Sequence, residues 1–180
     1  MIQFKLKNWT SEKAYIFGLC MANGSIQEDN IISICVKKKD KYIIKKIANK
    51  LGYKERLQSP NNKQIFKISF ILKSDKLFSE FLNIPSNYLP DFIRGYFDGK
   101  GEIKKIKNNR LNISLSSNNL IFLQELLELL KEEANIERGS IDLKKGKLFF
   151  GTKDSIKLGE YMYKNNPELF LLRKRQKFNL

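Results

Sequence analysis

Apolar positions recur along this chain in two rhythms, helical and alternating, and the rhythms succeed one another in an order that occurs twice. Ser11 to Met21 (SEKAYIFGLCM) is apolar at nearly every position after its start, with Thr10 or Ser11 placed to cap the first turn and Glu12 inside it, so it predicts a helix. Ser25 to Glu28 and Ile31 to Lys38 predict a hairpin turning through Asp29 and Asn30, and Lys41 to Leu51 predicts a helix that Gly52 ends. Gln64 to Leu72 alternates strictly. Phe66, Ile68, Phe70 and Leu72 fall on one side of a strand and Lys67, Ser69 and Lys73 on the other, before a helix over Asp75 to Leu82.

A connection bracketed by Pro85 and Pro90 comes next, with Pro90 suited to the first turn of a helix running to Asp98. Strands at Glu102 to Ile106 and Arg110 to Ser116 flank a Lys107-Asn108-Asn109 turn, and Asn119 to Ala134 predicts a long amphipathic helix. Ser140 to Phe150 predicts a hairpin around Lys145-Gly146, Ser155 to Lys164 a closing helix, and Leu171 to Phe178 (LLRKRQKF) a short basic helix or extended arm. The letters repeat as well as the order. Setting Tyr15–Ile26 (YIFGLCMANGSI) beside Phe92–Ile103 (FIRGYFDGKGEI) matches Gly18 with Gly95, Gly24 with Gly101 and Ile26 with Ile103. Two homologous halves are expected, residues 1–85 and residues 86–180, the second with a basic tail.

The composition narrows the chemistry. A formal net charge of +15 and a pI near 9.7 make polyanions, nucleic acid first, the expected partner. The absence of histidine removes imidazole bases, nucleophile activation by imidazole and imidazole metal ligands together. Cys20 and Cys35 lie in apolar runs without C-x-x-C spacing, which predicts two core thiols and neither a disulfide framework nor a zinc site. No run approaches the ~20 apolar residues of a membrane span, and Met1 to Thr10 lacks a targeting pattern. Abundant Ile, Lys, Asn and Phe is what A/T-rich coding sequence produces, which points to an organelle, mitochondrion or chloroplast, and otherwise to the cytoplasm.

Two helices ending in the G-x-x-x-x-x-G pattern, each with a hairpin after it, and the words FIRGYFDG and LLRKRQKF resemble the single-chain, two-motif LAGLIDADG homing endonucleases over almost the whole chain. Spacing supplies a physical reason for the motif. Gly18 and Ala22, like Gly95 and Gly99, are four residues apart on one helix stripe and allow the two helices to pack closely as the seam between halves. Gly24 and Gly101 are expected to turn the chain out of each helix as C-terminal caps.

The resemblance implies an α+β fold of two pseudo-symmetric αββαββα halves whose antiparallel sheets form a saddle on nucleic acid, with helices packed on one side. Alternation then predicts contacts from Ser25, Gln27, Ser33, Lys37, Lys67 and Ser69 in the first half and from Lys104, Arg110, Asn112, Ser114 and Ser116 in the second, with Glu102 and Asp29 on the same faces. The tail residues Arg173, Lys174 and Arg175 are expected to join them.

In the resembled family the eighth motif position is an Asp or Glu, and the two carboxylates hold the Mg²⁺ ions used in cleavage. Aligning on the glycines, those positions are Asn23 and Lys100. An amide oxygen is a weak ligand for a hard dication, and an ammonium repels it while suiting a helix C-terminus and a phosphate, so Lys100 is also an expected contact. Asp98 and Glu102 are the nearest acids available to substitute. The expectation is a cleavage-dead nucleic-acid-binding protein, RNA favoured over duplex DNA, serving as an intron maturase or a structural part of an organellar ribonucleoprotein. It would work without metal or cofactor, away from membranes and as a sufficient monomer. The alternatives are an active site-specific DNA endonuclease, which would need Mg²⁺, and a cleavage-dead DNA-binding protein.

Overall fold

The computed structural model describes residues 3–23, 25–27, 30–53, 64–72, 77–106 and 110–178. Gly24, Asp29, Lys73, the start of the helix expected from Asp75, and the Lys107–Asn109 turn lie outside them. The first half runs β1 (Gln3–Phe4), α1 (Ser11–Asn23), β2 (Ser25–Gln27), β3 (Ile31–Lys37), α2 (Lys41–Lys50), β4 (Ile65–Leu72) and α3 (Leu77–Leu82). The second runs α4 (Leu89–Lys100), β5 (Gly101–Ile106), β6 (Arg110–Ser116), α5 (Leu120–Ala134), β7 (Ser140–Asp142), β8 (Lys147–Phe150) and α6 (Thr152–Tyr163), and the chain ends on α7 (Leu172–Arg175).

The fold is α+β, one sheet to each half. The second sheet, in the order β5-β6-β8-β7, is antiparallel throughout and completes the expected αββαββα order. The first sheet, β1-β4-β3-β2, departs from it: its outer strand is the N-terminal β1, paired in parallel with β4 through Gln3–Ile71 and Phe4–Leu72. A strand this short carries no helical or alternating signature. Turn chemistry matches the letters, with left-handed backbone at Asn30 (φ 58°), Gly52 (φ 65°) and Gly146 (φ 57°).

Helices α1 and α4 cross at the centre, and the glycines explain how. A Cβ on Gly18 would collide with the carbonyl oxygen of Phe92, and one on Gly95 with that of Tyr15. Phe92 and Tyr15 are equivalent in the repeat, so the two contacts exchange under a pseudo-twofold operation, as in an isologous dimer interface. A Cβ on Gly99 would collide with that of Ala22, its own repeat partner, so the pseudo-axis passes between them. The expected seam of Gly18, Ala22, Gly95 and Gly99 is therefore present.

Aromatic residues fill the space beside the seam: Phe92 lies 5.5 Å from Phe17 and 5.2 Å from Phe81, and Phe122 lies 5.0 Å from Phe81 and 4.9 Å from Tyr96, ring centre to ring centre. The amphipathic helices complete the core. Ile43, Ile44 and Ile47 of α2 are buried, as are Phe122, Leu123, Leu126, Leu127 and Leu130 of α5. Thr10 caps α1 by accepting from the Lys13 N–H, and Asn119 caps α5 by accepting from the Phe122 N–H at 3.1 Å.

Two expectations are corrected. Gly101 has extended backbone (φ −83°, ψ 143°), so no left-handed cap requires a glycine there; what does is the Phe97 ring, which a Cβ would strike. Cys20 is a core thiol, whereas Cys35 is exposed, because β3 turns Ile32 and Ile34 inward and its odd-numbered residues outward.

Candidate nucleic-acid interface

Pleating sorts each sheet into a core face and an outer face. On the first sheet the outer residues stand in register rows, Ser25 beside Ser33 beside Ser69, Cys35 beside Lys67, and Lys37 beside Ile65. On the second, Glu102, Ser114, Phe149 and Ser140 form one row, Lys104 and Asn112 another, and Ser116, Lys147 and Asp142 a third. The expected strand contacts whose side chains are described, Ser33, Lys37, Lys67, Ser69, Lys104, Arg110, Asn112, Ser114 and Ser116, thus stand in outer-face register. Lys37, Lys104 and Arg110 are exposed, and Lys67, Ser69, Asn112 and Ser116 are half-buried.

Two of the expected contact residues are withdrawn from the surface. Ser33 is buried and shares a 2.9 Å hydroxyl–hydroxyl hydrogen bond with Ser69, and Ser114 is buried in the row between Glu102 and Phe149. Conversely, Lys147 and Phe149 join the face without having been among the expected contacts. The period of two was the available signal, since Leu148 and Phe150 are core residues and their odd-numbered neighbours must point out. Phe149 remains 37% exposed, an apolar ring among polar neighbours.

The basic tail is not an arm. Lys174 is buried, and its ammonium donates to the carbonyl oxygens of Phe97, Asp98 (3.0 Å) and Gly101 (2.7 Å), closing the C-terminal end of α4. Desolvation lowers its pKa to about 8. Arg173 donates to Asp40 at 3.0 Å, and Arg175 lies over the rings of Phe170 and Tyr163. Leu172 N–H donates to the Tyr42 hydroxyl, which donates to the Phe170 carbonyl, so the segment straps the second half to the first. Sequence offered only a run of positive charges, whose usual place is the surface. Lys174 is instead buried, while Arg173 stays exposed beside Asp40 and Arg175 is half-buried over its rings.

Asp98 belongs to the same buried cluster, where it accepts from the Tyr15 hydroxyl at 2.8 Å and the Leu171 N–H at 2.7 Å. Burial raises its pKa to about 6, and Lys174, the Tyr15 hydroxyl and the Leu171 N–H oppose the rise. Arg94 is held nearby by Asp91 and by the carbonyl oxygens of Met162 (2.7 Å) and Leu169 (2.8 Å). None of these charges was legible as buried. An ionic residue on a mostly apolar helix is ordinarily read as exposed.

Where the seam helices end, Asn23 closes α1 and Lys100 closes α4, directly beyond the Ala22–Gly99 contact. The Asn23 amide donates to the Gly99 carbonyl at 3.2 Å across the seam. Lys100 is exposed, and no described side chain engages its ammonium; its carbonyl accepts from the Ser116 hydroxyl at 3.1 Å. Together with Ala22, Tyr96, Ser116, Ser117 and Asn118 it lines a small cup between the seam, the end of β6 and the start of α5. Of the two acids considered as substitutes, Asp98 is buried and engaged. Glu102 lies on the outer face, paired with Lys147 at 3.1 Å. Among the described residues no group of three His, Cys, Asp or Glu side chains could hold a metal ion.

Solved structures share this fold. The N-terminal LAGLIDADG domain of DUF199/WhiA superposes over 87% of this chain and 87% of its own, at TM-score 0.64 and 17% identity. The homing endonuclease I-WcaI, bound to its DNA recognition sequence, covers 96% of this chain and 89% of its own at TM-score 0.63 and 14% identity. This chain has the LAGLIDADG fold. A model described as a LAGLIDADG-like domain matches residues 88–147, from the approach to α4 to the first residue of β8. I-LtrWI, a LAGLIDADG homing endonuclease bound to target DNA, shows the same fold at TM-score 0.58 and 15% identity, over 94% of this chain and 88% of that one. No curated protein matches the sequence. In this chain the helix ends carry an amide and an ammonium where the resemblance implies two carboxylates.

Proposed function

We propose that this protein binds nucleic acid across the outer faces of its two sheets and does not cut it. The observation that carries the reading is the pair of residues at the seam ends, Asn23 and Lys100. The donor set does not fit Mg²⁺. Asn23, whose Nδ2 donates to the Gly99 carbonyl, offers only one neutral amide oxygen, the Phe97, Asp98 and Gly101 carbonyls are taken by the Lys174 ammonium, and Glu102 is paired with Lys147. A dication would meet the Lys100 ammonium at a cost of roughly 1–4 kcal/mol per unit charge at ~4 Å.

Structured RNA is the favoured ligand. Exposed Phe149, amid serines and lysines, offers a ring on which an unpaired base can stack, a contact that a fully paired duplex does not present. The resemblance points the same way, since the family includes intron maturases, and a metal-free saddle suits a splicing cofactor or a structural part of a ribonucleoprotein in an A/T-rich organelle. The second reading, duplex DNA bound without cleavage, is favoured by I-WcaI and I-LtrWI, both bound to DNA. Competition between a transfer RNA and a duplex oligonucleotide at matched salt separates them. RNA is expected to win for the wild-type protein, with Phe149→Ala losing affinity for RNA by about 1–3 kcal/mol and little for the duplex. Preference for the duplex would support the second reading, and a duplex cut in Mg²⁺ would contradict both.

A further inference from the structure

Resting on that reading, we infer that the cup at the end of the seam seats a backbone phosphate of the bound nucleic acid on Lys100, a direct anion site where the family's enzymes hold a cation. Three observations converge on it. The Lys100 ammonium is exposed and unengaged by described side chains, while Lys174 and Arg94 are buried and bonded and Arg173, though exposed, is paired with Asp40. The cup is lined by the neutral polar residues Ser116, Ser117 and Asn118 together with Tyr96 and Ala22 and, among the described residues, by no carboxylate; the Ser116 hydroxyl is given to the Lys100 carbonyl, which leaves the Ser117 hydroxyl and the Asn118 amide as donors. Its place beside the pseudo-twofold contact of Ala22 and Gly99 puts it at the junction of the two halves, each of which carries one sheet.

The local electrostatics agree. The carbonyl end of α4 is already neutralised by Lys174, so the Lys100 charge is not consumed by the helix dipole and is available outward. Serine and asparagine side chains add hydrogen bonds to phosphate oxygens without adding charge, the combination found at backbone contacts generally. An ammonium acts there as a point charge, without reading sequence.

The test is the salt dependence of binding to a transfer RNA and to a duplex oligonucleotide, for the wild type, Lys100→Gln, Lys100→Arg and Lys104→Gln. Lys100→Gln is expected to weaken binding to the preferred probe about tenfold and to lower the slope of log K against log salt by about 1, with Lys100→Arg restoring it. The thermal midpoint of Lys100→Gln should match the wild type. An unchanged slope in Lys100→Gln, in a wild-type protein that binds, overturns the phosphate seat and leaves nucleic-acid binding standing. Wild-type protein that binds neither probe overturns both.

Discussion

Two lysines at one helix end illustrate how little a residue type says alone. Lys100 and Lys174 both serve the C-terminus of α4, yet one is exposed and unengaged and the other is locked into three backbone carbonyls. Burial of the Lys174 partner Asp98 has a measurable consequence. The folded pKa of Asp98 is raised to about 6 from an ordinary 3.8, so the folded state holds a proton that the unfolded chain has released. Stability from this group is full below about pH 4 and is lost as pH rises through about 6, an effect on the order of 2–3 kcal/mol. Asp98→Asn keeps an acceptor for the Tyr15 hydroxyl and the Leu171 N–H and removes the titration. Wild-type urea midpoints should therefore fall between pH 4 and pH 7 relative to those of the variant, and parallel curves would show that Asp98 keeps an ordinary pKa.

At the scale of elements, sequence was most informative where periodicity and special residues agreed. The seam was legible because Gly18 and Gly95 recur with their spacing, and the outer strand faces because polar and apolar residues alternate in β4 and β6. What escaped had no local signature: β1 is two residues long, and the docking of α7, with Lys174 buried, depends on α4 and on Asp40 and Tyr42, distant in sequence. Alternation also says which way Ser33 and Ser114 point but not that they are buried. The seam makes its own prediction. Gly95→Ala forces a Cβ into the Tyr15 backbone carbonyl, which cannot swing away as a side chain would, and should cost at least about 1–3 kcal/mol in chemical denaturation. Gly151→Ala, at φ −71° with open space around it, should change stability by no more than about 0.5 kcal/mol. Equal effects would mean that the helices do not approach as closely as described.

For the whole molecule, the two halves share one core, and the C-terminal segment returns across the seam to Tyr42 and Asp40, so the sheets are held as a fixed pair. A rigid pair of faces with a surplus of positive charge binds a polyanion with little reorganisation, and the chemistry at its centre decides whether the bound strand is cut or only held. That Asn23 and Lys100 stand at matching places was readable in the sequence only through the repeat. That the Lys100 ammonium stands unengaged by described side chains beside a lysine-capped helix end became visible once α1 and α4 were in contact. The most direct measurement crosslinks the protein to nucleic acid in its native cells and sequences what is attached. The account predicts a defined, uncut segment of folded RNA, unaltered by Mg²⁺; recovery of duplex DNA severed at a fixed position would contradict it.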